Sequence, residues 1–402
     1  MRLTVKERRK ATKITAVRYQ KASKKQKGII LDEFAALTGY DRCYTAYLLR
    51  NQGKKVRINN RIVAIGYIGK RHKRQRQRIY CDDVLRALKQ IWVIMDCICG
   101  KRLRPMLKEM LVILQRHKEI RVTREIKKKL LRISASTIDR ILKPERKKYE
   151  LKGRSLTKPG TLLKHQIPIR TFSEWDEQRP GFVEIDLVGH EGGNPRGDFI
   201  QTLNVTDVCT GWTEMQAVKN KAQIWVFEAL KDIRGRLPFD LLGIDSDNGS
   251  EFINDHLVRF CRDEKITFTR ARSYRKNDNC FIEQKNYTIV RRYVGYARYD
   301  TEAAQTLLNE LYGYLRLYAN FFQPVMKLIQ KTRIGSRVKK KYDVPQTPYQ
   351  RVLTSPFVPE TKKEILKQQY AQLNPAVLRR KIAKLQNDLF KLAKYREHRM
   401  KI

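Results

Sequence analysis

The sequence contains no segment typical of a secreted or membrane-spanning protein. No apolar run approaches the roughly 18 to 20 residues that a membrane-spanning helix needs, and the opening segment MRLTVKERRK is charged without the apolar stretch of a signal peptide. Seven cysteines, an odd number, argue against a disulfide framework of an oxidising compartment. Cys97 and Cys99 are spaced C-x-C with no second Cys or His pair nearby, so a four-ligand zinc site is not predicted. We therefore expect a cytoplasmic protein that contacts no membrane.

Acidic residues are also scarce relative to basic ones. The 402 residues include 86 Lys and Arg but 41 Asp and Glu, which gives a formal net charge of +45. An excess of this size must be offset by a polyanion, which makes nucleic acid the leading partner and an acidic membrane surface a distant second. The 41% hydrophobic content is sufficient for packed cores, and the length indicates two to four domains at ~100–200 residues each.

The positive charge is concentrated at the two ends of the chain. Residues 1–150 have a net charge of +29, residues 151–171 add +5, and residues 301–402 add +14. Residues 172–300 instead carry 18 basic and 21 acidic side chains. Carboxylates repel nearby phosphates unless a cation lies between them, so an acidic centre between basic arms indicates a metal site.

Two segments of the N-terminal part have the outline of a helix-turn-helix. In residues 24–51, Gly39 ends one amphipathic helix and a second begins near Asp41. In 122–146, Thr123 is a candidate cap of one helix, and Ser134 or Ser136 is a candidate cap of the next. A basic run, GKRHKRQRQR, lies between the two segments. Side chains of these segments suited to phosphates and base edges are predicted DNA contacts: Arg42, Tyr44, Thr45, Arg50, Arg71, Lys73, Arg74, Ser136, Thr137 and Arg140.

The middle of the chain reads as an α/β domain in the order βββαβαβα. Three apolar, β-branched segments within 182–220 predict consecutive strands, and helices and strands then alternate to a long helix over 277–296. The first and fourth strands are expected to be neighbours, with ligands collecting beyond the carboxyl ends of the strands. This arrangement predicts one site built from the ends of several elements.

Three carboxylates lie in elements that this order brings together: Asp186 in the first strand, Asp247 at the end of the fourth and Glu283 in the last helix. Asp186 lies between apolar neighbours, where a charge is costly unless it is paired or bound to metal. The pair Asn248–Gly249 after Asp247 predicts a turn that exposes the carboxylate. Carboxylate oxygens suit Mg²⁺ or Mn²⁺, and two such ions can clamp the attacking and leaving oxygens of a phosphodiester.

Other acidic residues nearby are rival candidates. Asp245 is on the same strand face as Asp247 but is expected to point into the sheet. Glu184 shares a face with Asp186 and is either a group that supports the site or a residue at the start of the strand, while Asp207 is most simply a turn residue. Basic and polar residues close to Glu283 in the sequence are predicted to hold the DNA backbone: Arg272, Arg275, Lys276, Asn279 and Lys285.

These motifs resemble those of the retroviral-integrase type of catalytic core. IDLVG around Asp186, SDNGSEF around Asp247 and NDNCFIEQKN around Glu283 are similar to its Asp, Asp-Asn-Gly and Glu motifs, and 35 residues lie between Asp247 and Glu283 as in the D,D-35-E pattern. The sequence around Glu283, together with RRYVGYARYD downstream, resembles more narrowly the integrase-core transposases of bacterial insertion sequences. The resemblance covers residues 172–300 closely, and the His-His-Cys-Cys zinc unit of retroviral integrases is absent from this sequence.

The resemblance implies an α/β RNase H-like catalytic core with Asp186, Asp247 and Glu283 as catalytic residues and as ligands of two Mg²⁺ or Mn²⁺ ions. It implies a transposase that binds the terminal inverted repeats of its element, cleaves the 3′ ends and joins them to target DNA. Double-stranded DNA is then the substrate, a homodimer or higher oligomer joins the two ends, and the protein associates with the bacterial nucleoid. The alternative is a sequence-specific DNA-binding regulator whose integrase-like core is vestigial.

The C-terminal part predicts a basic, mainly helical arm. Residues 301–324 form an amphipathic helix expected to pack on the core, and 333–353 resemble a segment that contacts DNA. A seam of apolar residues from Leu378 to Leu392 could pair two subunits or cover the core. The predicted organisation is a first helix-turn-helix domain over 1–80, a second over 81–149, a basic linker over 150–171, the catalytic core over 172–325 and the C-terminal arm over 326–402.

Overall fold

The computed structural model describes residues 3–57, 63–65, 79–146, 179–246, 252, 255–270 and 280–393. The chain divides into two compact units, residues 1–78 and residues 79–402. Within the described ranges, none of the helices combines the length and the apolar character needed to cross a bilayer. The predicted linker 150–171 lies outside the described residues.

The first unit is built on three helices and a short hairpin. The helices are α1 (Val5–Lys21), α2 (Lys24–Thr38) and α3 (Arg42–Asn51), and β1 (Lys55–Arg57) pairs antiparallel with β2 (Val63–Ile65). A small core of side chains from the three helices holds them together: Ala16, Tyr19, Ile30, Leu31, Phe34 and Leu49. Neither α1 nor the hairpin was predicted from the sequence. The apolar side chains of α1 are few and widely spaced among basic ones, so its periodicity is weak.

The junction between α2 and α3 follows the sequence prediction. Gly39 ends α2 in the left-handed conformation, with φ of +69°, which a residue without Cβ adopts at no steric cost. Asp41 caps α3 by accepting hydrogen bonds from the backbone N–H groups of Cys43 and Tyr44. On α3, Thr45 and Leu49 face inward and are buried, whereas Tyr44 and Tyr47 are exposed.

The second unit begins with four helices: α4 (Asp82–Ile94), α5 (Gly100–Arg116), α6 (Arg124–Arg132) and α7 (Ala135–Arg146). Thr123 caps α6 as predicted, by accepting from the N–H of Ile126. Of the two serines considered for α7, Ser134 is the cap, because it accepts from the N–H of Thr137. Gly100 is required at the start of α5, because a Cβ there would overlap the carbonyl oxygen of Ala135. The same glycine donates its N–H to the carboxylate of Asp139, at 2.8 Å, so α7 is held tightly on α5.

The predicted order βββαβαβα is confirmed in the middle of the chain. Strands β3 (Phe182–Gly189), β4 (Gln201–Asp207) and β5 (Thr213–Val218) are followed by α8 (Gln223–Arg236), β6 (Gly243–Ser246), α9 (Asp255–Asp263), β7 (Thr267–Arg270) and α10 (Cys280–Lys285). Helix α10 continues as a π-helical turn (Asn286–Arg291) and ends with α11 (Arg292–Val294). The long final helix is therefore interrupted where the periodicity predicted a regular one.

The five strands form one mixed sheet in the order β5-β4-β3-β6-β7. The first three are antiparallel neighbours, while β6 and β7 run parallel to β3. The register pairs Glu184 with Asp245 and Ile185 with Ser246, so the strands predicted to be neighbours lie side by side. Helix α8 packs on β4 and β5, and α12 (Glu302–Phe322) also packs on β5. The core of this part of the chain is a mixed α/β sheet covered by helices.

The C-terminal part folds onto the same unit. It consists of β8 (Leu328–Ile334), β9 (Arg337–Tyr342), α13 (Pro348–Thr354), α14 (Glu360–Gln372) and α15 (Pro375–Lys391). The apolar seam was predicted either to pair two subunits or to cover the core. Its packing favours the core, because four of its residues are buried where α15 lies against α12: Leu378, Ile382, Leu385 and Leu389. Leu392, the last residue of the predicted seam, is 38% exposed. In the described chain the seam covers the core.

The packing does not follow the predicted boundaries at 149 and 325. One continuous hydrophobic core joins side chains of α4–α7, the sheet and the C-terminal helices. Asp96, just after α4, accepts a hydrogen bond from the hydroxyl of Tyr293 and forms ion pairs with Arg292 and Arg379. The helices predicted as a separate second domain are thus part of the larger unit, because their apolar faces are buried against elements far along the chain.

Replacing a buried residue of the α15 seam tests its contribution to the core. We expect Ile382→Ala, at a fully buried site, to cost about 2–5 kcal/mol, since the cavity adds to the lost transfer free energy. Thermal and urea midpoints should both fall. The neighbouring Lys381→Ala, at an exposed position, serves as the control and should change stability by less than ~0.5 kcal/mol. Equal stability of the two variants would contradict the assignment of the seam to the core.

Candidate active site

Asp186 lies on β3 and is half-buried. Its Oδ1 accepts a hydrogen bond from the backbone N–H of Leu187 at 2.8 Å, and its Oδ2 accepts one from the side-chain amide of Asn286 at 2.6 Å. Asn286 is the first residue of the π-helical turn and stands three residues after Glu283. This hydrogen bond therefore joins the helix of Glu283 to the strand of Asp186.

The amide of Asn286 is itself fixed by a residue of the next strand. Asn204 on β4 is opposite Asp186 in the antiparallel register and is fully buried. Its Nδ2 donates to Oδ1 of Asn286 at 2.7 Å, so donation runs from Asn204 to Asn286 and from Asn286 to Asp186. Both amide groups are thereby oriented, and the rotation of the Asp186 carboxylate is restricted.

Glu184 attaches the same helix to β3 at a second point. Its side chain is completely buried, and Oε2 accepts a hydrogen bond from the backbone N–H of Ile282 at 2.7 Å. Ile282 is in the first turn of α10, where N–H groups have no partner within the helix and a negative charge is favoured. Of the two roles considered for Glu184, support of the site is the one this contact favours. Glu283, next to Ile282, is exposed.

The strand β6 ends beside Asp186. Ser246, its last residue, pairs with Ile185, and Asp247 follows in the chain but lies outside the described residues. Asp245, the rival of Asp247, is 1% exposed and accepts a hydrogen bond from the hydroxyl of Thr269 on β7. Asp245 thus points into the sheet, as expected. Asp207 is the predicted turn residue, because its carboxylate accepts from the N–H groups of Gly181 and Thr210.

The donor chemistry of the described residues fits a hard divalent cation. Asp186 and Glu283 are both carboxylates, and oxygen ligands are those that Mg²⁺ and Mn²⁺ prefer. Across the described ranges, which omit Asp247, no group of three or more His, Cys, Asp or Glu side chains is placed to hold a metal ion.

Lys285 occupies a different environment from the one predicted. The sequence predicts a DNA contact, but Lys285 is 8% exposed and its ammonium donates to the carbonyl oxygen of Gly211 at 3.0 Å. Burial, together with the nearby Arg102, lowers the pKa of Lys285 to about 7. A side chain held in this way between α10 and the β4–β5 turn offers no ammonium to a phosphate, which corrects the prediction.

The other predicted DNA contacts divide into exposed, buried and undescribed groups. On α3, Arg42, Tyr44 and Arg50 are exposed, and Arg42 forms a surface ion pair with Asp32 at 2.6 Å. Thr45 is fully buried, because it faces the helical core, so its prediction as a contact is wrong. On α7, Ser136 and Arg140 are exposed and Thr137 is half-buried, while Ile138 and Leu142 pack inward. The remaining candidates lie outside the described residues: Arg71, Lys73, Arg74, Arg272, Arg275, Lys276 and Asn279.

A second polar chain lies further along the same face of β3. His190 is fully buried, and its Nε2 and the hydroxyl of Thr202 are 2.7 Å apart, while Thr202 in turn is 2.6 Å from the hydroxyl of Tyr312. Burial lowers the pKa of His190 to about 3, with a smaller contribution from Arg291. The imidazole is therefore neutral, and it links β3 and β4 to α12.

Sequence reasoning missed the role of Asn204 and the side-chain contact of Asn286. A signal for Asn204 was present, since Thr202, Asn204 and Thr206 alternate along a strand whose seven residues are all buried. Polar side chains at alternate buried positions need partners from another element. These partners are Asn286 for Asn204 and Tyr312 for Thr202.

The described fold defines an α/β protein whose mixed sheet carries acidic residues against the helix of Glu283. No protein-family model matches the chain. It is 39% identical over 334 residues to the uncharacterized protein y4rM of Sinorhizobium fredii (strain NBRC 101917 / NGR234), in an alignment that covers 83% of this chain and 91% of y4rM. The chain belongs to the same family as y4rM.

Solved structures that the chain resembles include two retroviral integrase domains. The catalytic core domain of BIV integrase has a TM-score of 0.29 and 16% sequence identity, covering 47% of this chain and 98% of that domain. The HTLV-2 integrase catalytic core domain in complex with magnesium has a TM-score of 0.28 and 14% identity, covering 37% of this chain and 91% of that domain.

Replacing the two asparagines singly and together tests the chain of amide hydrogen bonds. We expect Asn286→Leu and Asn204→Leu each to lower the free energy of unfolding by about 1–3 kcal/mol, since each leaves a buried polar partner unsatisfied. The double variant should cost less than the sum by at least ~0.5 kcal/mol, because the pair is removed together. Tyr287→Leu, at an exposed neighbour, is the control. Additive costs would show that the two amides are not coupled.

The stability of the protein should depend on the protonation of His190. The folded protein holds the pKa near 3, against an ordinary value of 6.5, so the unfolded chain takes up the proton first as the pH falls. The contribution of the neutral imidazole to the free energy of unfolding is fully present above pH 6.5 and is lost as the pH falls towards 3. By linkage the loss is about 2 kcal/mol at pH 5. We expect His190→Gln to remove this part of the pH dependence between pH 7 and 5, measured by urea unfolding; an unchanged slope would contradict a buried neutral imidazole.

Proposed function

We propose that the protein is a DNA transposase of the D,D-35-E type. It binds the terminal inverted repeats of its mobile element, cleaves the 3′ ends and joins them to target DNA. The observation that carries the proposal is the hydrogen bond from Asn286 to Asp186. It holds the helix of Glu283 on the strand of Asp186, beside the strand that ends at Ser246, immediately before Asp247. The three acidic motifs, far apart in sequence, belong to elements that adjoin.

The sheet supports an RNase H-like catalytic core as the setting of this chemistry. Its order β5-β4-β3-β6-β7, with the last two strands parallel to β3, is a mixed sheet whose chain order βββαβαβα agrees with the motif resemblance. The proposed core spans 172–325, between helix-turn-helix segments within 1–80 and 81–149 and a basic C-terminal arm from 326.

Asp186, Asp247 and Glu283 would hold two Mg²⁺ or Mn²⁺ ions. When bound, such ions activate the attacking oxygen and stabilise the leaving oxygen of a phosphodiester. The part played by the chain is to keep the carboxylates in place: Asn286 and the Leu187 N–H orient Asp186, and Glu184 fixes the first turn of the Glu283 helix. The oriented carboxylates would serve the hydrolytic step and the following transesterification at one site, with no covalent protein intermediate.

DNA recognition is assigned to the two helical segments before the core. Helix α3 presents Arg42, Tyr44 and Arg50, and α7 presents Ser136, Thr137 and Arg140. The basic and polar residues flanking these elements and Glu283 are proposed as further backbone contacts: Arg71, Lys73, Arg74, Arg272, Arg275, Lys276 and Asn279. Because two element ends must be joined, the active form is proposed to contain at least two copies of the chain, associated with the bacterial nucleoid.

Substitution of Asp186 separates catalysis from binding. With Mg²⁺ and DNA carrying the inverted repeats that flank the gene, we expect the wild-type protein to nick the 3′ ends and to join them to a target plasmid. Asp186→Asn should abolish both reactions, a loss of at least ~10³-fold, because the neutral amide is a poor metal ligand, while DNA affinity stays within about twofold.

The matched control is Asp240→Asn, which changes an exposed carboxylate before β6, at the opposite end of the same strand pair. It should cleave as the wild-type protein does. DNA that is bound but never cut with any divalent metal would overturn the enzyme proposal and favour the regulator with a vestigial core. Cleavage without joined products would favour a hydrolytic nuclease.

A further inference from the structure

The hairpin formed by β8 and β9 has no acidic residue and is anchored at its base. Between Leu328 and Tyr342 the sequence carries six basic residues: Lys331, Arg333, Arg337, Lys339, Lys340 and Lys341. At the base, Asp343 accepts hydrogen bonds from the N–H of Lys327 and from the guanidinium of Arg351, at 2.7 and 2.6 Å. Val325 and Gln346 form a further bridge below it. The hairpin is therefore fixed at its root rather than attached by a loose loop.

Beyond that root the hairpin is exposed on both faces. All six residues of β9 are exposed, and the turn between the strands contains Gly335, with φ of +58°, as its first central residue. This is the position at which two-residue hairpin turns require glycine. A two-stranded ribbon alone in water is marginally stable, and like charges concentrated on it repel each other. A polyanion is the partner that would relieve this repulsion.

The register separates the hairpin into two faces of different composition. Gln330 pairs with Lys341, Thr332 with Lys339 and Ile334 with Arg337. Residues paired directly opposite each other share a face, and successive residues alternate between faces. One face, which we call the 339/341 face, thus combines three basic residues with Gln330 and Thr332, side chains able to hydrogen-bond base edges. The opposite face also carries three basic residues, Lys331, Arg333 and Lys340, but its remaining paired residue is Val338, whose side chain forms no hydrogen bonds.

The composition of the hairpin argues against a membrane and against a further β-strand as its partner. The exposed apolar residues are dispersed: Ile334 and Val338 lie on opposite faces near the turn, while Ile329 and Tyr342 lie near the root. Neither face is therefore a continuous apolar surface for insertion into a membrane. The edge strand β9 carries Lys339, Lys340 and Lys341 in succession, and edge lysines oppose the addition of a further strand from another chain. Charge complementarity leaves nucleic acid as the occupant.

We propose that the β8–β9 hairpin is a DNA-binding arm that enters the major groove of duplex DNA with its 339/341 face. The major groove, about 12 Å wide, accepts a two-stranded ribbon whose strands are about 4.8 Å apart. Lys339 and Lys341 contact phosphates, and Gln330 and Thr332 approach the base edges. This inference rests on the proposed action on DNA, and it adds a contact surface that neither helix-turn-helix segment nor the acidic site provides.

The test compares two pairs of substitutions in the full-length protein, each removing two charges from one face. Lys339→Gln with Lys341→Gln changes the 339/341 face, and Arg333→Gln with Lys340→Gln changes the opposite face. Affinity for a short fluorescent duplex of mixed sequence is measured over a series of salt concentrations without divalent metal. Because these side chains are exposed, thermal midpoints should remain those of the wild-type protein.

We expect the first pair to weaken binding about three- to tenfold and to reduce the slope of log affinity against log salt by about 1.8, which is two phosphate contacts. The second pair should change the slope by less than about half a unit. Equal losses from both pairs would overturn docking by one face. Unchanged binding by both pairs, or a loss confined to phosphatidylserine vesicles, would overturn the DNA-binding arm.

The wild-type protein distinguishes failure of this inference from failure of the proposed function. If it binds no duplex at any salt concentration, the proposed action on DNA fails and the arm with it. If it binds the duplex and Lys339→Gln with Lys341→Gln binds equally well, the arm alone is excluded. Cleavage of element ends by that variant would then remain as in the wild-type protein.

Discussion

Two carboxylates on one face of β3 hold the helix that carries Glu283. Glu184 receives a backbone N–H from the first turn of α10, and Asp186 receives the amide of Asn286 just after the helix. The two acceptors lie two residues apart on the strand, and the two donors lie four residues apart on the helix. Their contacts thus define both the position of the helix along the strand and its rotation, and with them the position of Glu283 relative to Asp186.

The face of the sheet beneath these contacts is unusually polar for a protein interior. Thr202 and Asn204 on β4, Glu184 on β3 and His190 immediately after β3 are all buried. A buried polar group that keeps its partners restricts the packing to one arrangement, whereas one that loses them costs the full desolvation penalty. An apolar face would pack as well with the covering helix shifted by a turn. The polar face instead links α10 and α12 to particular strand positions, at a cost in stability that an apolar core would not have.

The sequence was sufficient for features that depend on local chemistry. The order of strands and helices along the chain, the cap at Thr123, the turn at Gly39–Asp41 and the inward position of Asp245 were predicted, and Ser134 was one of two serines considered for the next cap. Each follows from periodicity or from the hydrogen bonding of neighbouring residues. Features that depend on distant partners were not predicted. Lys285 is basic and near Glu283, but the carbonyl of Gly211 and the burial around it come from another part of the chain.

The same limit applies to the helices before the core and to the hairpin. Helices α4–α7 have the amphipathic pattern of an independent domain, yet their apolar faces complete a core shared with residues two hundred positions later. The strands β8 and β9 carry no alternation of apolar and polar residues, because both of their faces are exposed. Without a buried face there is no periodic signal, so the sequence indicated a basic segment but not a ribbon.

The π-helical turn Asn286–Arg291 links the number of residues after Glu283 to the direction in which the following side chains point. A π-helical turn accommodates one more residue than the α-helix it interrupts, and the side chains after it are rotated by about 100° relative to an uninterrupted helix. Tyr293 and Val294, which follow the turn, are buried in this rotated position. A relative lacking the turn would be one residue shorter between Glu283 and Gly295. The number of residues between Glu283 and Gly295 in related proteins therefore reflects helix geometry as well as common ancestry.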